Sequence, residues 1–447
     1  MTKSQKWTLA LCTLLGIQGV ITFSLRSSNS VELSSASSSP RTTEVGKAVP
    51  TTKKSTQEEA VILKDPALSE AWGLSMTDAQ KAWRVSQGSK DVVVAVIDTG
   101  VDANHPDLKN NLWVNPGETG LDANGHDKAT NGIDDDGNGF VDDVHGWNFV
   151  HNTNNLTDTH GHGTHIAGII GAEGGNGIGI SGVSPHVSLM ILKYYDPNSH
   201  SNDNLKNTVQ ALNYAVKMGA NIINYSGGGL SPSPDERAAI VQAMHKGILV
   251  VAAAGNEKSN SDVSKYYPAD YGLPNIVSVT AINKKKMVLP SSNWGVSTVH
   301  IAAPGNDILS TLPGGQYGYM TGTSQATAFV SGVAALIMAN NKDLRKADRM
   351  VKYLTQTGDI DENLAGKTMY MRRLNTYKAL ALQDMDLNLA GSKVDNSRDL
   401  SFTIEGGPTK KATKTSIASF GKALEEMVTS APANAAPNAV PKTNSSN

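Results

Sequence analysis

The chain has 447 residues, of which 39% are hydrophobic, 18% charged and 5% aromatic, so it is apolar enough to fold yet light in charge and aromatics. Its 39 Lys+Arg against 41 Asp+Glu leave a net charge of -2, which argues against nucleic acid or a polyanionic surface as a partner. A single cysteine, Cys12, rules out an internal disulfide and a cysteine-based metal cluster, and 42 glycines, above the usual share of about 7%, predict many tight turns.

Lys3 and Lys6 precede an uncharged apolar run over residues 7–23, broken only by Gln18. That order is the one of an export signal, cleaved after Ser24 or kept as a membrane anchor. Residues 1–25 are therefore expected to send the chain to the periplasm or out of the cell. Cys12 lies mid-run behind Leu11, where lipid attachment would need a small residue, and reads as one more apolar signal residue. Residues 26–65, rich in Ser, Thr and Pro, read as a linker. Residues 66–385 are expected to form the folded domain, and 386–447 a low-complexity tail with one short amphipathic helix at 417–428.

Within the folded part, residues 91–97 (DVVVAVI) are an apolar β-branched run of strand length, the pattern of a parallel strand buried on both faces. Asp98 follows directly. Such an aspartate usually caps a helix or forms a turn, so alone it says little. Residues 131–143 are acidic. Asp134, Asp136 and Asn138 alternate, Gly139 stands sixth and Asp142 ninth, as in the first half of a calcium loop, but the twelfth position is His145. Five aspartates in this stretch repel one another unless a cation is present, and Ca²⁺ is the expected cofactor.

Residues 159–168 (THGHGTHIAG) bring three histidines before a helix of small and apolar residues. Zinc is the obvious rival, but the spacing is not the i, i+4 pair of helical zinc proteases and no glutamate stands between. Short apolar runs at 187–192, 220–224, 248–253 and 276–279 alternate with helical patterns such as 204–218, where Leu205, Val209, Leu212, Tyr214, Ala215 and Met218 recur at helical spacing. This alternation predicts an α/β fold of three layers, a mainly parallel sheet with helices on both faces. Its chemistry belongs at the carboxyl ends of the strands, after Ile97, Asn224 and Ala253. Residues 320–328 (MTGTSQATA) place Ser324 between a glycine turn and a small-residue helix running to about residue 338. An N-cap is the common use of such a serine. Asp, then His, then Ser, each at a strand end or helix start of one α/β fold, points instead to a catalytic triad.

The stretches 94–108 (VAVIDTGVDANHPDL), 162–168 (HGTHIAG), 222–229 (IINYSGGG), 254–257 (AGNE), 303–305 (APG) and 322–324 (GTS) resemble, in order, the signature blocks of the subtilisin-like serine proteases. The resemblance covers about residues 66–385. It implies a monomeric serine endopeptidase acting on proteins or peptides, with Ser324 as nucleophile and His162 as general base, then acid. A helix N-terminus disfavours the imidazolium, and Asp98 would offset this while fixing the tautomer. Asn256 would join the Ser324 N–H in an oxyanion hole, and His160 and His165 would be structural. Ser226, Gly227 and Gly228 would form a cleft rim that pairs with extended peptide. The family usually has a bulky residue at position 227, so Gly227 predicts a roomier and more mobile cleft. Gln325 stands where the family commonly has Met. Asp107 and Asn176 match positions that hold calcium in many relatives. Three other readings share the scaffold: a catalytically silent peptide-binding module, a peptide ligase, and a carboxyl-type peptidase, which His162 opposes.

Overall fold

Strand β1 (Gly88–Asp98) shows why the sheet is central. Val92, Val94 and Val96 point into one core while Ala95 and Ile97 point into a second on the opposite face, the two-residue period of a strand covered on both sides. The remaining strands are β2 (Gly146–Asn148), β3 (His186–Lys193), β4 (Ile222–Tyr225), β5 (Leu249–Ala253), β6 (Ile276–Ile282), β7 (Ile301–Pro304), β8 (Ile308–Leu312), β9 (Gln316–Met320), β10 (Asp359–Ile360) and β11 (Arg372–Arg373). Nine of them form one sheet in the order β10-β11-β7-β6-β5-β4-β1-β3-β2, and β8 and β9 form a separate hairpin. Every pairing in the large sheet is parallel except β10 with β11. This is a computed structural model, and it describes residues 63–199 and 203–381. The expected export segment, almost all of the linker, the tail and its helix at 417–428 lie outside the described residues.

The helices are α1 (Trp72–Met76), α2 (Ala79–Ala82), α3 (His162–Gly171), α4 (Asn204–Lys217), α5 (Pro234–His245), α6 (Thr323–Asn340), α7 (Ala347–Thr357) and α8 (Thr376–Ala381). Helices α3 and α6 pack into the core that receives Val92, Val94 and Val96, and α4 and α5 into the other, which gives the three layers expected from the alternation. Every residue of α6 from Thr323 to Met338 is buried, and its small side chains let it lie close under the sheet. Ordinary caps start the outer helices: Asp203 accepts from Lys206 N for α4, and Ser233 accepts from Glu236 N, with Pro234 in the first turn of α5.

Leu63 and Asp65 correct the linker boundary. Leu63 is part of the core, and the buried Asp65 accepts hydrogen bonds from Gly175 N, Gly177 N and Ser181 Oγ. In the sequence Leu63 closes a short apolar run, residues 60–63 (AVIL), that the polar composition of the wider stretch outweighed. No helix among the described residues is long and apolar enough to cross a membrane. From β1 the chain builds β2 and β3 on one side and β4 onward on the other, so the order reverses at β1. The crevice beyond the carboxyl ends of β1, β3 and β4 is where such folds place their ligands.

Candidate active site

Asp98 is the last residue of β1, 3% exposed, and its Oδ1 accepts from Thr99 N at 2.8 Å. The next residue ties this strand end to helix α3. Thr99 Oγ1 accepts from Gly163 N at 2.9 Å and donates to Asp158 Oδ1 at 2.8 Å. Asp158 in turn gathers the start of the helix, accepting from His160 N, Gly161 N, Thr164 N and Thr164 Oγ1 at 2.7–3.0 Å. A Cβ at Gly163 would collide with the Gly100 carbonyl, so only glycine lets the helix press against the turn after β1. His162, the first residue of α3, thereby lands with Nδ1 2.7 Å from Asp98 Oδ1. Burial disfavours the charged imidazole, but the charge and hydrogen bond of Asp98, with the charge of Asp158 behind, outweigh it and hold the pKa above the ordinary 6.5.

Ser324 is the second residue of α6, 8% exposed, and its hydroxyl donates to the Ser226 carbonyl at 2.9 Å. The sequence reading pairs this hydroxyl with His162; the structure directs it to the cleft rim. Asn256 follows β5, and its Oδ1 accepts from Thr323 N at 3.1 Å and Thr323 Oγ1 at 3.3 Å. With the oxygen committed to Thr323, Nδ2 is the half of the Asn256 amide that can donate. Helix α6 is pinned to the end of β4 by Ser331 Oγ donating to Asn224 Oδ1 at 2.8 Å, while Asn224 Nδ2 donates to Ser226 Oγ at 2.9 Å. Sequence reasoning missed Asn224, Ser331 and Asp158. The signal was there for two of them: a polar residue inside an apolar strand or helix, buried at 0%, has to have a partner.

The expectation of a roomier cleft at Gly227 fails. A Cβ there would collide with the Tyr194 hydroxyl and lie 3.0 Å from Tyr225 Cε2, so the space is already filled. Two residues on, Gly229 and Tyr267 exchange both N–H···O bonds at 2.8 Å. The three histidines do not converge. His160 is exposed and lies edge-on to His162 with ring centroids 6.2 Å apart. The buried His165 bridges the β8–β9 hairpin, its Nε2 lying 2.9 Å from Ile308 O and 3.2 Å from Gly318 O. Burial and the neighbouring His162 push its pKa down to about 3, so it is neutral and structural.

In the acidic loop, Asp134 and Asp136 come together with a residue from outside it. Ligand oxygens of Glu118, Asp134 and Asp136 lie within 4.8 Å of one another. Glu118 is fully buried; its Oε1 accepts from Asp135 N and Asp136 N at 2.8 and 3.2 Å, and its Oε2 has no hydrogen-bond partner. A buried carboxylate oxygen left without a donor suits a hard cation. Two expected ligands are used otherwise. Asn138 turns its amide nitrogen to Asp136 and Asp143 while its oxygen accepts from Phe140 N, and Asp142 Oδ1 accepts from Gly132 N. Asp107 and Asn176 do meet, but Asn176 presents Nδ2 to Asp107 Oδ1 at 2.8 Å, and Asp107 Oδ2 accepts from Ile180 N and Tyr317 Oη. Both Asp107 oxygens are thus taken by protein donors in this arrangement, as are those of Asp134, whose Oδ1 and Oδ2 accept from Asn138 N and Gly139 N.

An Asp–His pair and a buried serine beside a fixed amide, at the carboxyl ends of a parallel sheet and in that chain order, define a serine-hydrolase type of site. Comparison with known proteins agrees. The Subtilase family (Peptidase_S8) matches residues 89–380, and the chain belongs to that family. It is 33% identical over 294 residues to "Subtilisin-like protease 2" of Plasmodium falciparum, spanning 64% of this chain but 20% of that protein. It is 33% identical over 314 residues to the "Thermophilic serine proteinase" of Bacillus sp. (strain AK1), 69% of this chain and 66% of that one. With the "Major intracellular serine protease" of Bacillus subtilis (strain 168) it shares 34% over 303 residues, 66% of this chain and 85% of that one. Among solved structures, a chain described as one of the proteases from Pseudoalteromonas arctica PAMC 21717 superposes with a TM-score of 0.56 at 25% identity, covering 72% of this chain and 99% of that one.

Proposed function

We propose that this protein is an exported serine endopeptidase that hydrolyses peptide bonds through an acyl-enzyme on Ser324. The observation that carries the reading is the 2.7 Å hydrogen bond from His162 Nδ1 to the buried Asp98. It leaves Nε2 of the neutral ring as the base. The Ser324 hydroxyl swings from Ser226 O to this nitrogen, gives up its proton, and its oxygen attacks the substrate carbonyl. Negative charge moves onto the carbonyl oxygen, where Asn256 Nδ2 and the Ser324 N–H donate to it. The imidazolium, stabilised by Asp98, protonates the leaving amine as the C–N bond breaks. Water, deprotonated by the same imidazole, then releases the acid and restores the serine. Ser226, Gly227 and Gly228 offer backbone groups that pair with an extended peptide.

The acidic loop supports a structural Ca²⁺ held by Glu118, Asp134 and Asp136, which would offset the repulsion among these carboxylates. Export rests on Lys3, Lys6 and the apolar run at 7–23, and N-terminal sequencing of the mature chain tests it. The enzyme reading is tested by labelling with a fluorophosphonate and by mass spectrometry of a peptide library, comparing the protein with Ser324→Ala. Label on Ser324 and cleavage lost in the variant are expected. Intact peptides and no label with the unaltered protein would overturn it in favour of a silent peptide-binding module, and joined rather than cleaved peptides would mark a ligase.

A further inference from the structure

Ser324 and Asn256 fix where the scissile carbonyl sits. Gly227–Gly228 follow Ser226, whose carbonyl accepts from the Ser324 hydroxyl, and Gly255 precedes Asn256, which is hydrogen-bonded to Thr323 beside the nucleophile. The side chain of the residue that supplies this carbonyl is therefore brought against these two glycine-lined segments. The crevice between them holds an aromatic ring. A Cβ at Gly228 would collide with Tyr266 Cε1, and a Cβ at Gly255 would lie 2.9 Å from Tyr266 Cδ2, so one ring reaches both walls. The Glu257 carboxylate, held by Asn293 Nδ2 at 2.8 Å, covers the remaining face of Gly255.

The ring cannot easily withdraw. Tyr266 is 5% exposed, its N–H donates to Asp270 Oδ2 at 2.7 Å, and its neighbour Tyr267 is paired in both directions with Gly229. Tyr194 fills the space beside Gly227 in the same way. Glycine in these walls therefore makes room for tyrosine, not for substrate.

We infer that Tyr266 restricts cleavage to peptides with Gly, Ala or Ser on the carbonyl side of the scissile bond. A larger side chain meets the ring before its carbonyl reaches Asn256. The inference rests on the endopeptidase reading and adds a substrate class to it.

The test uses peptides that differ only at that residue, carrying Ala, Ser, Leu or Phe, with kcat/KM measured for the full chain, Tyr266→Ala and Tyr266→Phe. The unaltered protein is expected to prefer Ala over Leu and Phe by about 100-fold, the scale that pocket size supports. Tyr266→Ala should raise the Phe-to-Ala ratio by at least about 10-fold, and Tyr266→Phe, which keeps the ring, should leave the ratio where it was. Equal cleavage of Phe and Ala peptides by the unaltered protein overturns the inference even if Tyr266→Ala fails to fold. So does an unchanged ratio in a Tyr266→Ala variant that still takes the fluorophosphonate. Absence of label on Ser324 in the unaltered protein would instead strike the endopeptidase reading, which keeps the two failures apart.

Discussion

Replacing Asp158 by Asn probes the joint that delivers His162 to Asp98. Asp158 is 4% exposed and accepts five hydrogen bonds, three on Oδ1 from Thr99 Oγ1, His160 N and Gly161 N, and two on Oδ2 from Thr164 N and Thr164 Oγ1. An asparagine of the same shape keeps one acceptor and sets an NH₂ against the donors of Thr164, which is fully buried. Each buried donor left unmatched costs about 1–3 kcal/mol. The Thr164 hydroxyl can rotate and relieve part of its share, so the expected loss is about 3 kcal/mol. Burial pushes the Asp158 pKa up, but the donors from Gly161, Thr164 and Thr99 outweigh it, and the net value lies below the ordinary 3.8. A depressed carboxylate pKa means stability that is present above the unfolded value and lost as pH falls through the folded one. The difference between the two proteins should therefore be full at pH 7 and shrink in acid. Urea unfolding followed by tryptophan fluorescence, in a Ser324→Ala background to prevent autolysis, measures both. A loss under about 0.5 kcal/mol at pH 7, within the range of a neutral surface change, would refute the role given to this carboxylate.

Three further outcomes are expected. The imidazole must be neutral to act as base, so kcat/KM should rise with pH through a limb above 6.5. Asp98→Asn removes the charge that does most to raise this pKa while burial and the smaller contribution of Asp158 stay, so the limb should fall and kcat/KM should drop about 10⁴-fold, the scale of triads that lose this carboxylate; an unmoved limb would contradict the pairing. Chelation should lower the thermal midpoint, and Glu118→Gln should shrink that shift, while an unchanged midpoint would remove calcium from the acidic loop. With Gln325 and no thioether directly after the nucleophile, activity should survive dilute peroxide, and rapid inactivation reversed by sulfoxide reductase would contradict this.

Much of the site was legible because its chemistry is tied to chain position. Asp98 at the end of an apolar run, His162 at the start of a small-residue helix and Ser324 after a glycine turn are local patterns, and strand-helix alternation places them at one end of one sheet. The acidic loop was half legible. Alternating carboxylates announced Asp134 and Asp136, but the loop's register turned the side-chain oxygens of Asn138 and Asp142 to backbone N–H donors and the Asn138 amide nitrogen to neighbouring carboxylates, and Glu118 entered from a segment well before Asp134 in the chain, where no spacing rule reaches. Gly227 misled for a related reason. A missing side chain reads as empty space in one dimension, whereas in three dimensions Tyr194, from a distant strand end, already occupies it.

The amino-acid order alone settled the layered α/β architecture, the absence of any disulfide brace and the candidate members of the triad, since hydrophobic period, cysteine count and strand-end position are all properties of neighbours along the chain. Only the tertiary structure decided that Asp158 locks the helix carrying His162, that Glu118 completes the carboxylate cluster, and that Tyr266 fills the crevice beside Asn256. Those are contacts between residues distant in sequence, and their outcome depends on which side chain reaches a shared space.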